Sequence, residues 1–363
     1  MLNDVSPRPV ARLPLARYAM RPVLASFHAM ATASDPVLLQ GREGRWRWPW
    51  AVSGLVLIAA MFMALGSLVV MFEELAVRAG WIGSFPDNVF PLDPTQPITY
   101  LDVLLAAFPF LLPPLIALPL VHGVSWRRAF AYSGARFRWR EFWRTALALL
   151  TLAVLGFVIG NLTEPKQYEF RAPPALAWIA LALAIVFVQS IGEEVLFRGY
   201  LLRTWGAVLP FRLPVTTAII GLFVAGHLGN DDLNRDLLVN IFYFIAGEIV
   251  AYAVFFRTNN LAASSGFHWM NNVLALLVPT IPGQPTTLAL AVYTDPVYAV
   301  GASRLFDPWT HIAGLAGITA LVAMLYWRRS PFYLEKAQSH TAGPEAIAAD
   351  AGGETAVRAQ PGS

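Results

Sequence analysis

Long apolar runs without charge recur along this chain, and they limit its possible folds more than any other feature. Six runs contain no Asp, Glu, Lys or Arg: Pro49–Phe72, Val103–Trp126, Thr145–Thr163, Ala172–Gly192, Leu213–Gly226 and Pro308–Trp327. Two more, Leu237–Phe256 and Thr258–Thr280, contain a single ionisable residue each. A helix needs about 20 mostly apolar residues to cross the hydrocarbon of a bilayer. We therefore expect an all-α, polytopic integral membrane protein with about eight transmembrane helices.

The composition agrees with this expectation. Of the 363 residues, 56% are hydrophobic and 13% are charged, whereas an average soluble domain has about 25% charged residues. The chain contains no cysteine. Disulfides, zinc–thiolate sites and a cysteine nucleophile are therefore excluded.

The basic residues are distributed unevenly between the ends of the predicted spans. If the N-terminus is cytoplasmic, 21 of the 26 Lys and Arg residues fall in the inner tails and loops and five in the outer loops. Such an excess marks the cytoplasmic side, so both termini are predicted to be cytoplasmic. Because the arginines follow the spans, we expect a lipid bilayer as the partner and no nucleic acid. An Ala-, Arg- and Trp-rich chain without cysteine suggests a multi-pass protein of a bacterial cell inner membrane.

The chain divides into three predicted regions. Residues 1–48 form a basic cytoplasmic N-terminal arm that lies against the anionic inner leaflet. Residues 49–330 form the membrane domain, and residues 331–363 form a disordered cytoplasmic tail that lacks a core. The apolar stretch Leu288–Val300 is too short to span and is expected to lie in a loop.

Ionisable side chains within spans are informative because each costs roughly 2.5–3.5 kcal/mol on insertion scales. Glu194 and Arg198 are four residues apart on span four, so they share a helix face and can pair. Glu193 lies about 100° around the same helix and is not neutralised by that pair. We therefore expect a structural role for Glu194 and Arg198, whereas Glu193 is free for chemistry. Glu248, on span six, is interpreted as a polar contact between helices, outside the site.

Two further spans carry polar groups at comparable depths. Phe223 and His227 on span five are four residues apart, which places the aromatic ring against the imidazole. His268 and Asn272 on span seven share a face for the same reason. A single intramembrane histidine is usually a packing contact, but the combination with Glu193 favours a functional site.

The run Glu193-Glu194-xxx-Arg198, then Phe223-xxx-His227, then His268-xxx-Asn272 resembles the three-motif signature of the CAAX-protease and bacteriocin-processing family of intramembrane endopeptidases. The signature covers roughly residues 175–280, and we expect the protease core to span about residues 172–280. The resemblance implies that Glu193 and His227 prepare a water molecule to attack a peptide carbonyl. It implies that His268 and Asn272 hold the oxyanion.

A metal-dependent mechanism is the alternative within this family, because one glutamate and two histidines also form a zinc ligand set with an open position. The ligands would then be Glu193, His227 and His268. We prefer the glutamate-and-water mechanism, which requires no cofactor, because an asparagine suits an oxyanion hole better than a metal site. The expected substrate is a peptide or membrane protein, cut near its C-terminus or beside a membrane segment.

Two other functions remain open at this point. A proton-coupled transporter could use Glu193, Glu248 and the histidines as a relay. A non-catalytic scaffold or immunity member of the same family could keep the polar cluster for folding alone.

Overall fold

The computed structural model describes residues 37–38, 44–45, 47–81, 92, 98–132, 136–163, 168–170, 176–209, 211–228, 237–277, 291–293 and 308–334. Most of the predicted N-terminal arm, and the predicted tail from residue 335 onward, lie outside these residues. The first residues of the predicted tail pack against the membrane domain: Leu334 is fully buried, and its carbonyl accepts a hydrogen bond from Arg257 Nε at 2.7 Å.

The helices follow the apolar runs. In chain order they are α1 (Trp48–Arg78), α2 (Ile98–Ala117), α3 (Trp139–Thr163), α4 (Leu176–Glu194), α5 (Leu202–Val208), α6 (Arg212–His227), α7 (Leu237–Thr258), α8 (Leu261–Leu277) and α9 (Pro308–Tyr326). Helices α2 and α4 continue into π-helical segments, Leu118–His122 and Val195–Leu201. The predicted all-α, polytopic membrane class is confirmed.

Within the described residues, five helical segments are long and apolar enough to cross a membrane: Trp48–Arg78, Ile98–His122, Trp139–Ile159, Leu176–Val208 and Ile241–Thr258. Helix α6 and the part of α9 from Gly314 to Tyr326 are apolar but shorter. The count of eight spans and the cytoplasmic termini therefore stay predictions.

Two three-residue strands accompany the helices. Strand β1 (Tyr168–Phe170) pairs antiparallel with β2 (Ala291–Tyr293), and Glu169 lies opposite Val292. Strand β2 falls within the apolar stretch that was predicted to lie in a loop. The strands connect the segment before α4 to the segment after α8.

Close packing of α4 and α8 with their neighbours positions the polar residues. Helix α8 makes extensive contacts with α3, and α4 with α2. The α8 contact requires a glycine, because a Cβ at Gly266 would lie 2.1 Å from the carbonyl oxygen of Phe142. Small residues at such crossings let two membrane helices approach closely. Residues 190–204, around the π-helical segment, are buried almost throughout, so the second half of this long helix forms the centre of the domain.

Candidate active site

Both glutamates of the first motif lie at the end of α4, directly before the π-helical segment Val195–Leu201. Glu193 is 5% exposed and Glu194 is fully buried. A π-helical turn inside a longer helix is rare and frequently occurs at functional sites. The two carboxylates therefore stand where the helix changes its hydrogen-bonding pattern, inside the protein.

Arg198 holds Glu194, as the four-residue spacing predicts. Its Nη1 donates to Glu194 Oε1, and both side chains are fully buried. The structure adds a partner from another helix, because Arg198 Nη2 lies 2.5 Å from Glu248 Oε2. The guanidinium also stacks on Tyr252, 4.5 Å from the ring centroid. Glu248 is therefore a contact between helices, as predicted, and its partner is the arginine of the first motif.

His268 lies between the two glutamates. Its Nδ1 is 3.0 Å from Glu194 Oε1, and its Nε2 is 3.4 Å from Glu193 Oε2. Because an ionised carboxylate only accepts hydrogen bonds, Nδ1 carries a proton towards Glu194. Glu194 thus contacts Arg198 and also orients His268, a second role that the helical spacing alone did not predict.

Phe223 lies between the two histidines. Its ring centroid is 4.4 Å from that of His227 and 6.1 Å from that of His268. His227 Nδ1 donates to the carbonyl oxygen of Phe223 at 2.8 Å. A carbonyl cannot donate, so neutral His227 keeps its lone pair on Nε2. Phe223 thereby places the second motif beside His268 of the third.

Asn272 reaches α4 one helical turn away from His268. Its Nδ2 donates to Gln189 Oε1 at 3.0 Å and to Ser190 Oγ at 3.2 Å. Gln189 Nε2 in turn donates to Glu193 Oε1. Gln189 was not assigned to the site from the sequence. Its position, four residues before Glu193 and thus on the same helix face, is the signal that could have identified it.

The structure therefore brings together residues from all three motifs. Glu193 and His268 are in direct contact, and Asn272 is connected to Glu193 through Gln189. His227 packs on Phe223, whose ring also lies near His268. Within the described part of the chain, Glu193 Oε2 is buried and has no hydrogen-bond partner. A buried acceptor next to an imidazole nitrogen is suited to taking a proton.

The three-ligand zinc site considered above stays an alternative, and its proposed ligands are Glu193, His227 and His268. In the regions that the structure describes, no three His, Asp or Glu side chains converge as metal ligands. His268 Nε2 lies 3.4 Å from Glu193 Oε2, and Nδ1 of each histidine is engaged by a carbonyl or carboxylate, which leaves Nε2 of each available. We derive no step through a metal.

These features lie on the helices of a polytopic membrane protein, and the region that carries them is similar to a known family of membrane proteases. Residues 174–274 match the family model described as type II CAAX prenyl endopeptidase Rce1-like. The matched region contains all three motifs, so the resemblance predicted from them is confirmed over these residues.

A curated relative is described as the uncharacterized protein YyaK of Bacillus subtilis (strain 168). It is 28% identical over 150 residues, which cover 40% of this chain and 50% of the relative. The match thus spans about half the length of that protein. No solved structure matches the chain significantly.

Proposed function

We propose that this protein is an intramembrane endopeptidase of CAAX-protease type, which hydrolyses a peptide bond near the C-terminus of its substrate or beside a membrane segment. The observation that carries the proposal is the contact of buried Glu193 with His268, 3.4 Å away, together with the link from Glu193 through Gln189 to Asn272. The family match over residues 174–274 supports it.

In the proposed reaction, Glu193 is the general base. Its Oε2 takes a proton from water while the water oxygen bonds to the peptide carbonyl carbon. The lone pair on His227 Nε2 accepts the second hydrogen of that water and orients it. When the carbon–nitrogen bond breaks, the proton held by Glu193 passes to the leaving nitrogen. Transfer by a positioned base of this kind typically contributes about 100- to 10,000-fold in rate.

The oxyanion formed in the first step needs donors. Asn272 Nδ2 and protonated His268 Nε2 supply them in this proposal, while Glu194 holds His268 through Nδ1. Donors fixed in advance are most effective where water is excluded. Arg198 and Phe223 support these side chains without touching the substrate.

Identification of the cleaved bond tests this function. Membranes from cells that express the wild-type protein or Glu193→Gln are compared by mass spectrometry of new peptide termini. The expected result is a set of products that is present with the wild type and absent with the variant, because the amide cannot act as a base. Identical products in both samples would contradict the proposal and favour a non-catalytic scaffold.

Elemental analysis of the purified protein tests the mechanism separately. The glutamate mechanism predicts activity that survives a strong chelator. Stoichiometric zinc that is lost equally in His227→Ala and His268→Ala would instead establish the metal-dependent alternative at the same residues.

We also propose that the protein crosses the cell's inner membrane eight times, with both termini in the cytoplasm. The chain has no native cysteine, so a single introduced cysteine can be labelled without background. A cysteine at Asn88 should react with an impermeant thiol reagent applied outside intact cells. A cysteine at Ala342 should react only after the cells are permeabilised. Labelling of Ala342→Cys in intact cells would contradict the even number of spans.

A further inference from the structure

We propose that Gln189 is a positioning residue of the site, which holds the general base Glu193 and the oxyanion donor Asn272 at a fixed separation. This inference rests on the proposed function, since it assigns a role within the same reaction. Gln189 lies on α4, one turn before Glu193, and faces Asn272 on α8.

The side-chain amide of Gln189 donates one hydrogen bond and accepts another. Its Nε2 donates to Glu193 Oε1, and its Oε1 accepts from Asn272 Nδ2 at 3.0 Å. An ionised carboxylate cannot donate, so Glu193 fixes which end of the Gln189 amide points towards it. The other end must then present an oxygen to Asn272. The charge on Glu193 therefore sets the orientation of Asn272 through Gln189.

The helices α4 and α8 run antiparallel at this point, so residues one turn apart on α4 contact residues one turn apart on α8. Gln189 meets Asn272, and four residues later Glu193 meets His268. The two contacts are separated by one helical turn on each helix. Gln189 is consequently the residue on α4 that can reach Glu193 and Asn272 at the same time.

The two hydrogens of Asn272 Nδ2 are both engaged in the structure, one by Gln189 and one by Ser190 Oγ at 3.2 Å. To stabilise an oxyanion, Asn272 must release one of them. The hydroxyl of Ser190 is the longer contact and is the acceptor that the substrate oxygen replaces. Gln189 then keeps Asn272 aligned during the exchange.

Substitution of Gln189 by methionine, which has a similar length, removes both hydrogen bonds. With an internally quenched peptide built on the identified cleavage site, we expect kcat to fall about 10- to 100-fold while KM stays nearly unchanged. Gln189→Glu keeps an acceptor for Asn272, but as a carboxylate it cannot donate to Glu193, so kcat should fall at least as far. Ala184→Met, on an exposed face of the same helix, is the control and should keep wild-type kcat.

Several outcomes overturn the inference. A wild-type kcat in Gln189→Met, with Glu193→Gln inactive, would refute the role of Gln189 and leave the proposed function standing. A rise in KM with kcat unchanged would also refute it, because it would indicate substrate binding. Absence of any Glu193-dependent product from the wild type would overturn the function and this role together.

A measurement without substrate separates the contact from general loss of folding. Thermal unfolding of Gln189→Met, Asn272→Ala and the double variant forms a double-mutant cycle. The two changes should be clearly non-additive, since each removes the same hydrogen bond. Strict additivity would show that the two side chains do not interact, and would refute the inference even if Gln189→Met folds poorly.

Discussion

Glu194 should be essential for stability, whereas its neighbour Glu193 should be nearly neutral. Glu194→Gln keeps the side-chain volume but removes the charge that Arg198 and His268 both contact. Loss of one partner from a buried ion pair typically costs about 3–5 kcal/mol. The lower end applies here because Arg198 retains Glu248 at 2.5 Å. We therefore expect a loss of about 3 kcal/mol, which corresponds to about 150-fold in the folding equilibrium.

Glu193→Gln should change the free energy of unfolding by no more than about 1 kcal/mol. Among the described residues, the ion-pair partner of Glu193 is His268, at the long distance of 3.4 Å, and His268 keeps the closer Glu194 at 3.0 Å after the change. A glutamine oxygen can still accept from Gln189. The 12 tryptophans of the chain allow thermal unfolding in detergent to be followed by intrinsic fluorescence. A loss of 3 kcal/mol should lower Tm by on the order of 5–10 °C for a domain of this size.

The exposed pair of Glu74 and Arg78 on α1 is a matched control. It has the same four-residue spacing, with a distance of 3.3 Å and side chains that are 62% and 76% exposed. Exposed pairs of this kind contribute about 0–1 kcal/mol, so Glu74→Gln should leave Tm almost unchanged. If Glu193→Gln and Glu194→Gln lowered Tm equally and lost equal specific activity, the different roles assigned to the two glutamates would be wrong.

The remaining predictions concern the other two motifs and the packing that supports them. Asn272→Ala should lower the rate about 100- to 1,000-fold and leave measurable peptidase activity, whereas His227→Ala should approach the background rate; the reverse order would contradict their assigned roles. Gly266→Ala should lower Tm, because its Cβ would lie 2.1 Å from the Phe142 carbonyl oxygen and overpacking typically costs about 1–3 kcal/mol. Gly221→Ala on α6, where a Cβ would meet no atom within 4 Å, should be neutral or stabilising in the same assay.

Contacts within one helix could be predicted from the sequence, because the helical repeat fixes which residues meet. The pairing of Glu194 with Arg198 and of Phe223 with His227 follows from the four-residue spacing, and both contacts are present. The class of the fold could likewise be predicted, since long apolar runs have few alternatives to membrane helices.

Contacts between helices could not be predicted in the same way. The meeting of Arg198 with Glu248, and of Gln189 with Asn272, depends on how far α4 is displaced along α7 and α8. That displacement is set by close packing between the helices, not by the periodicity of one of them. The sequence showed which side chains were costly to bury, but not which side chain of another helix each would contact.

Because strands β1 and β2 are hydrogen-bonded to each other, residues 168–170 and 291–293 must lie on the same side of the bilayer. A chain that returns to its starting side has crossed an even number of times. The described residues between the strands contain two candidate spans, Leu176–Val208 and Ile241–Thr258, together with the shorter helices α6 and α8. If both candidate spans cross and no other described or intervening segment does, α6 and α8 must both cross or both remain within one leaflet. The helices that carry His227 and His268 are thereby coupled in topology, so a change that made one of them re-entrant would require the same of the other.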